Sequence, residues 1–270
     1  ACINGASANT AVLIPANASS CYYYNGTLRL KSGVVLRGAG PGGASGTTFC
    51  PGTSGTMTTQ NFSWSGGNLT PATTYATFPS TYTLSGTPTK GDTTVTITSG
   101  APNIGDWIEV YGNDDPSIIS ATGGDGKCDW CGNATGFYVA QQIVQITNKV
   151  GSVLTLSRPL YSTLDVTART VPGPGGSGTV TEPAGAKYTI ITFPTQKAGY
   201  ENFKIDGTHY DVGSNQLILL QGCLYCWVKG VETQDTGSSS GSAHVEMDFT
   251  YGNEIRDSYF HDQRSGASGA

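Results

Sequence analysis

Between residues 200 and 262 the apolar and polar positions of the chain repeat at a spacing of 27 to 28 residues. Tyr200-Glu-Asn-Phe-Lys-Ile-Asp206, Val228-Lys-Gly-Val-Glu-Thr-Gln234 and Ile255-Arg-Asp-Ser-Tyr-Phe-His261 align without gaps. A second run repeats with them, Gln216-Leu-Ile-Leu219 falling on His244-Val-Glu-Met247. Self-similarity of this period marks a stacked architecture, because one repeat cannot bury its own apolar face. Alternation of β-branched and aromatic residues makes the repeating unit one of short strands. The pattern predicts an all-β fold, a right-handed parallel β-helix. Alternation also gives each side chain a direction. Tyr200, Val228 and Ile255 point inward, as do Ile205, Thr233 and Phe260. Asn202, Gly230 and Asp257 fall where the chain bends, a place suited to small or Asx residues. The outward columns are Glu201/Lys229/Arg256, Lys204/Glu232/Tyr259 and Asp206/Gln234/His261.

The same reading extends to the start of the chain. Val12-Leu-Ile-Pro15, Cys21-Tyr-Tyr-Tyr24, Leu28-Arg-Leu30 and Val34-Val-Leu36 are short strands separated by turns at Asn25-Gly26 and Lys31-Ser-Gly33. Residues 1–60 thus hold a cap remnant and the first coils, and 61–83 a wrapped loop. A denser set of strands follows: Thr93-Thr-Val-Thr-Ile-Thr98, Trp107-Ile-Glu-Val-Tyr111, Ala140-Gln-Gln-Ile-Val-Gln-Ile-Thr147 and Val153-Leu-Thr-Leu156. They make 84–166 a small inserted antiparallel β subdomain. The Gly/Pro run Val171-Pro-Gly-Pro-Gly-Gly-Ser-Gly178 places a linker over 167–186. Lys187-Tyr-Thr-Ile-Ile-Thr-Phe193 resumes the coils, which run over 187–270. Both ends read as cut from a longer parent.

Two stretches carry a resemblance. Leu13-Ile-Pro-Ala16, the Tyr22–Tyr24 run, Leu28-Arg-Leu-Lys-Ser-Gly33 and Val35-Leu-Arg-Gly-Ala-Gly40 resemble the opening of the pectate-lyase-like superfamily, and 198–262 resembles its later coils. Gly105-Asp-Trp-Ile-Glu-Val110 and Val153-Leu-Thr-Leu-Ser-Arg-Pro-Leu160 resemble small β insertions found in some members. The resemblance implies a β-helix and a lyase or glycoside hydrolase acting on acidic or plant-type glycans. The polygalacturonase signatures Asn-Thr-Asp, Gly-His-Gly and Arg-Ile-Lys are absent, as are the pectate-lyase patterns Trp-Ile-Asp-His and Arg-X-Pro-X-X-Arg, so the resemblance transfers no catalytic residue. The alternative is a non-catalytic extracellular β-helix, structural, adhesive or filament-forming.

Composition narrows the setting. Only 12% of residues are charged and 38 of 270 are Gly, as in a turn-rich β protein. A net charge of −5 without a Lys/Arg cluster argues against nucleic acid. No apolar run is long enough to span a membrane. Seven cysteines with low charge point to an oxidising, extracellular place, secreted or at a cell surface. Cys128-Asp-Trp-Cys131 and Cys223-Leu-Tyr-Cys226 are candidates for disulfides within or between the pairs. Structural zinc, redox chemistry and free buried thiols remain as alternatives.

The candidate site is the outward face of the repeats. Asp235 and Asp262 occupy equivalent places one coil apart, where two carboxylates suit glycoside hydrolysis or Ca²⁺ binding. Glu232, Arg256 and His261 complete the catalytic candidates; Arg256 would act toward a uronate carboxylate, a role the resemblance suggests. Asp206, Lys229 and Tyr259 are substrate-binding candidates for a polysaccharide. The competing reading is a solvated ladder neutralised in cross-strand pairs, Glu201 with Lys229 and Lys204 with Glu232. His209, His244 and His261 are too scattered in sequence to suggest a metal triad. The open coil edge at Phe260 predicts self-association.

Overall fold

The computed structural model describes residues 2–17, 21–52, 56–58, 62–65, 68–71, 82–113, 140–172, 179–182, 184–209, 216–236 and 243–263. It divides into two compact units, Ala1–Thr74 with Phe193–Ala270, and Tyr75–Thr192.

The first unit is a parallel β-helix. After a single helical turn, α1 (Cys2–Gly5), come β1 (Thr10–Leu13), β2 (Tyr22–Tyr24) and β3 (Thr27–Arg29). The next rung is β4 (Val34–Arg37), β5 (Thr48–Pro51) and β6 (Thr56–Thr58), pairing in parallel with β1, β2 and β3 respectively. A hairpin follows, β7 (Phe62–Ser65) with β8 (Asn68–Pro71).

The second unit is a closed antiparallel barrel. Its strands are β9 (Tyr82–Ser85), β10 (Thr94–Ile97), β11 (Trp107–Tyr111), β12 (Gln141–Val150) and β13 (Val153–Leu156). A further hairpin joins β14 (Arg169–Pro172) to β15 (Thr179–Glu182) inside the stretch read as a linker. The sixth barrel strand is β16 (Lys187–Ile191), placed between β11 and β9. The sequence reading that Lys187 resumes the coils is therefore corrected. Alternation in this strand buries Tyr188 in the barrel core beside Ile108 and Val110, and a short apolar run does not reveal which of two cores it faces.

The β-helix resumes with β17 (Thr195–Gln196), β18 (Gly199–Asp206) and β19 (Ile218–Gln221). It continues with β20 (Cys223–Leu224), β21 (Trp227–Thr236), β22 (Val245–Asp248), β23 (Glu254–Arg256) and β24 (Tyr259–Gln263). Strand β18 stacks directly on β4 and β5 of the earlier rung. One sheet thus runs β1-β4-β18-β21-β23, and another β3-β6-β19-β22.

The predicted interior register is present. Tyr200 pairs with Val228 and Val228 with Ile255. Tyr200, Val228, Ile205 and Thr233 are fully enclosed, and Ile255 and Phe260 of the last rung are half-buried. Phe203 and Phe49 meet edge-to-face between rungs, with ring centres 5.1 Å apart. The second sheet corrects the sequence alignment by one residue: Ile218 lies over Val245, not Glu246. A one-residue slip exchanges the two faces of a strand, so Glu246 points outward with Leu219.

Left-handed residues make the corners. Asn202, Gly230 and Asp257, the predicted bend, have φ of 57°, 60° and 52°. A second corner stacks Gly33, Lys197, Tyr225 and Gly252, all with positive φ, tied by backbone bonds from Gly33 to Gln196, Lys197 to Leu224 and Tyr225 to Tyr251. Each corner recurs in register because the parallel ladder carries the bend from rung to rung.

Cys21 and Cys50 form a disulfide between successive rungs, their Cα atoms 5.6 Å apart. Cys223 and Cys226 are bonded to each other, which removes them from any four-thiolate zinc site. Cys128 and Cys131 lie outside the described residues.

Candidate functional site

The left-handed bend divides the outward face into two groups. Sequence reasoning gathers their members into one site; the structure separates them because the strand turns between Glu201 and Lys204, Lys229 and Glu232, and Arg256 and Tyr259.

Before the bend, Glu201 is the centre. Arg37 Nε donates to its Oε2 at 2.6 Å, and Trp227 Nε1 donates to its Oε1 at 2.8 Å. Burial pushes this carboxyl up, but the bonds from Trp227 and Arg37, with the charges of Arg37 and Lys229, outweigh it and hold the acid below the usual glutamate value. Lys229 therefore acts on Glu201 at a distance, in the column expected. The Trp227 ring lies over Gly199, where an added Cβ would stand 2.2 Å from the indole. Arg256 is engaged with Glu254 at 3.3 Å, and both side chains are more than half exposed.

After the bend, a connected group forms around Glu232 and His261. Lys204 Nζ meets Glu232 Oε1 at 2.7 Å and donates to Gln234 Oε1 at 2.6 Å. His261 Nε2 meets the same Glu232 oxygen at 3.3 Å, and its Nδ1 meets Asp262 Oδ2 at 2.9 Å. Gln234 Nε2 donates to Asp262 at 3.3 Å, closing the set. Tyr259 stacks on the His261 ring, with centres 4.4 Å apart and planes 18° apart, and is 63% exposed. Burial acts to raise the Glu232 carboxyl; the bonds and charges of Lys204 and His261 overcome it and hold the acid low. The His261 ring thus stands between two carboxylates, with Glu232 held as an ionised acceptor.

Asp235 and Asp262 do occupy equivalent places. Their neighbours pair, Gln234 with His261 and Thr236 with Gln263, and both adopt left-handed backbone, with φ of 61° and 58°. Both carboxylates act on a residue missing from the sequence-level site, His244. Its Nδ1 lies 2.7 Å from the enclosed Thr233 hydroxyl, and its ring stacks near Phe260. Burial and then the charge of His261 lower its basicity, while Asp235 and Asp262 pull the other way. His244 and His261, distant in sequence, are thus neighbours electrostatically. Asp206 serves its own turn. Its Oδ1 accepts from Thr208 N at 3.0 Å and from Thr208 Oγ1 at 2.7 Å, capping Gly207–His209.

Lys204 and Gln234 stand in the outward columns, yet the sequence does not single them out as site residues. The signal is available, since Lys204 shares the column of Glu232 and Gln234 stands in the next one. His244 carried no such signal. Among the described residues no three His, Cys, Asp or Glu side chains gather to hold a metal ion. Asp262, offered as half of a Ca²⁺ pair, instead faces the N–H donors of His261 and Gln234.

No protein-family model matches the sequence, and no curated protein matches it. Solved structures do match. The tailspike protein gp49 from Pseudomonas phage LKA1 aligns over 92% of this chain and 33% of its own length, with 17% identity and a TM-score of 0.52. The tailspike gp61 of Pseudomonas phage phi297 aligns over 92% of this chain and 37% of its own, with 11% identity and a TM-score of 0.40. The Gp54 tailspike of Acinetobacter baumannii bacteriophage AP22, solved in complex with A. baumannii capsular saccharide, aligns over 90% and 40%, with 11% identity and a TM-score of 0.38. The chain spans 33% to 40% of the length of these tailspikes. At such identities the likeness to the first of them speaks to architecture alone, and that architecture is the parallel β-helix.

Proposed function

We propose that this chain acts on an extracellular polysaccharide, binding it along the outward ladder and cleaving it at the group around His261. The observation that carries the reading is a single one: His261, between Glu232 and Asp262, is stacked face to face with the exposed Tyr259 ring. A sugar set against the outer edges of the stacked Tyr259 and His261 rings meets an imidazole and, beside it, the ionised Glu232 carboxylate. That pairing suits acid/base work on a glycosidic bond, by elimination or by hydrolysis. The resemblance of the first coils to the pectate-lyase-like superfamily supports the same reading, as do disulfides suited to an oxidising, extracellular place.

A second reading is a non-catalytic glycan-binding or adhesive β-helix. The neutralisation of the ladder favours it: Arg37 with Glu201, Lys204 with Glu232 and Arg256 with Glu254 already satisfy one another. A panel of uronate-containing and neutral polysaccharides separates the two. Ultraviolet absorbance of an unsaturated product reports elimination, and new reducing ends report hydrolysis. Retarded migration in glycan-loaded gels without either signal leaves binding alone. Absence of all three across the panel sinks the polysaccharide reading.

A further inference from the structure

The barrel contains a set of side chains that the outward ladder does not use. Strand β11 is enclosed on both faces. Ile108 and Val110 fill the barrel core, and Glu109 and Tyr111 on the other face are 4% and 5% exposed. Lys187, paired in register with Tyr111, shares that second face and is 3% exposed. Asn113, two residues beyond Tyr111, is 0% exposed. Lys187 Nζ donates to Asn113 Oδ1 at 2.5 Å, across 74 positions of sequence. Asn113 Nδ2 donates to the Thr167 carbonyl at 2.7 Å, which fixes the amide plane with its carbonyl toward the amine. Asp165 lies opposite Asn113 in an antiparallel bridge, with Asn113 N bonded to its carbonyl oxygen at 2.8 Å. Opposed residues of such a bridge share a face, with Cβ atoms about 5 Å apart. The Asp165 carboxylate is itself oriented, its Oδ1 accepting from Thr167 N at 2.9 Å.

We infer that Lys187 and Asn113 are joined by a side-chain amide bond, formed spontaneously with Asp165 as the proton carrier. The atoms balance without any co-reactant. Asp165 takes a proton from the Lys187 ammonium, leaving a neutral amine. The amine nitrogen attacks Asn113 Cγ, and Asp165 passes its proton to Nδ2 as the Cγ–Nδ2 bond breaks. The second Nζ proton passes to the departing ammonia, which leaves as ammonium, and an Nζ–Cγ amide remains with Asp165 again ionised. The enclosure supports each step. The amine already touches the oxygen bonded to the carbon it must attack, so little ordering remains before reaction. Water that would compete for the same carbon is kept away. A free Lys–Asn hydrogen bond in this place would be held only by contact, whereas the amide fastens β16 to the end of β11.

Intact-mass spectrometry of the whole chain, reduced to open every disulfide, tests the assignment. The expected mass falls short of the sequence mass by one ammonia, and a proteolytic digest gives one branched fragment holding both Asn113 and Lys187. Lys187→Arg keeps a cation that donates to Asn113 but cannot form the bond. It should restore the full mass and lower the unfolding midpoint; Asp165→Asn should leave a mixture or the full mass. An unshifted mass of the unaltered protein overturns the inference. So does recovery of separate peptides with Asn113 as the free amide or as aspartate. Because the decisive reading is taken on the unaltered chain, failure of a variant to fold does not rescue it.

Discussion

His261 is held from two sides, and each side makes a different prediction. Glu232 fixes the Nε2 end and Asp262 the Nδ1 end, so removal of either leaves the ring turning on one bond. If the group cleaves glycans, His261→Ala and Glu232→Gln each reduce turnover by roughly 10²-fold or more, the range set by loss of a positioned acid or base. Tyr259→Ala, which removes the stacking platform, raises the glycan concentration needed while leaving the turnover of bound chains nearer its starting value. Steady-state kinetics on the responsive polysaccharide distinguish these outcomes. His244 bears on pH instead. Its basicity is lowered in the fold, so it contributes stability above the ordinary histidine range near 6.5, and that contribution is lost as pH falls toward its folded value. Glu246 and Asp248 have the opposite sign. Burial raises both carboxyls, and each raises the proton uptake of the folded chain, so their contribution is present in acid and lost as pH rises. Unfolding midpoints of His244→Gln, compared between about pH 7.5 and about pH 5.5, and of Glu246→Gln, compared between about pH 7 and about pH 4, should therefore shift in opposite directions relative to the unaltered protein as pH is lowered.

The corners of the coil offer a paired test of what makes a rung turn. Gly230 has φ of 60°, and an added Cβ would stand 2.5 Å from Asn202 Oδ1 in the rung below. Gly230→Ala should cost about 1–2 kcal/mol from backbone strain alone, and more if Asn202 cannot yield. Lys197 occupies another corner at φ 53° with its side chain exposed. Lys197→Gly should be neutral or stabilising by up to about 1 kcal/mol, although glycine loosens the unfolded chain. Chemical denaturation of both variants checks the contrast; equal losses would show that the corners are held by side-chain packing. These elements also show what could be read from the sequence. The Tyr200–Val228–Ile255 register was legible because one inward column and one bend column repeat together. The second sheet was not, because Gln216–Leu219 against His244–Met247 matches almost equally well at two offsets. Lys187–Ile191 was misassigned for a related reason: its alternation is the same whichever core it faces. The Cys21–Cys50 bond escaped notice because its two ends lie in adjacent rungs, a proximity that only the stacked register creates. Glu232, His261 and Asp262, which the structure brings into contact, are legible as neighbours because they stand side by side on adjacent rungs. Arg256 reads as part of the same group because a column says nothing about the bend, before which it pairs with Glu254.

A solenoid grows by offering each rung's backbone to the next, and that logic leaves the last rung to be accounted for. Strands β22, β23 and β24 close their sheets, with no further rung paired to them among the described residues. The side chains there are less enclosed than their counterparts below: Met247 is 50% exposed, and Ile255 and Phe260 are only partly covered where Val228 and Thr233 are fully enclosed. An open row of backbone donors and acceptors beside apolar surface is a template for another chain. The chain as it stands should therefore associate through this end as its concentration rises. Static light scattering over a wide range of concentration should show a growing mass, and Met247→Lys, which sets a charge on the exposed rung, should hold the mass down. Substitutions on the outward ladder, such as Lys229→Ala, should leave association unchanged, because that face runs along the rod and not across its end. A constant monomer mass over the whole range would mean that the terminal rung is already capped by the chain's own residues.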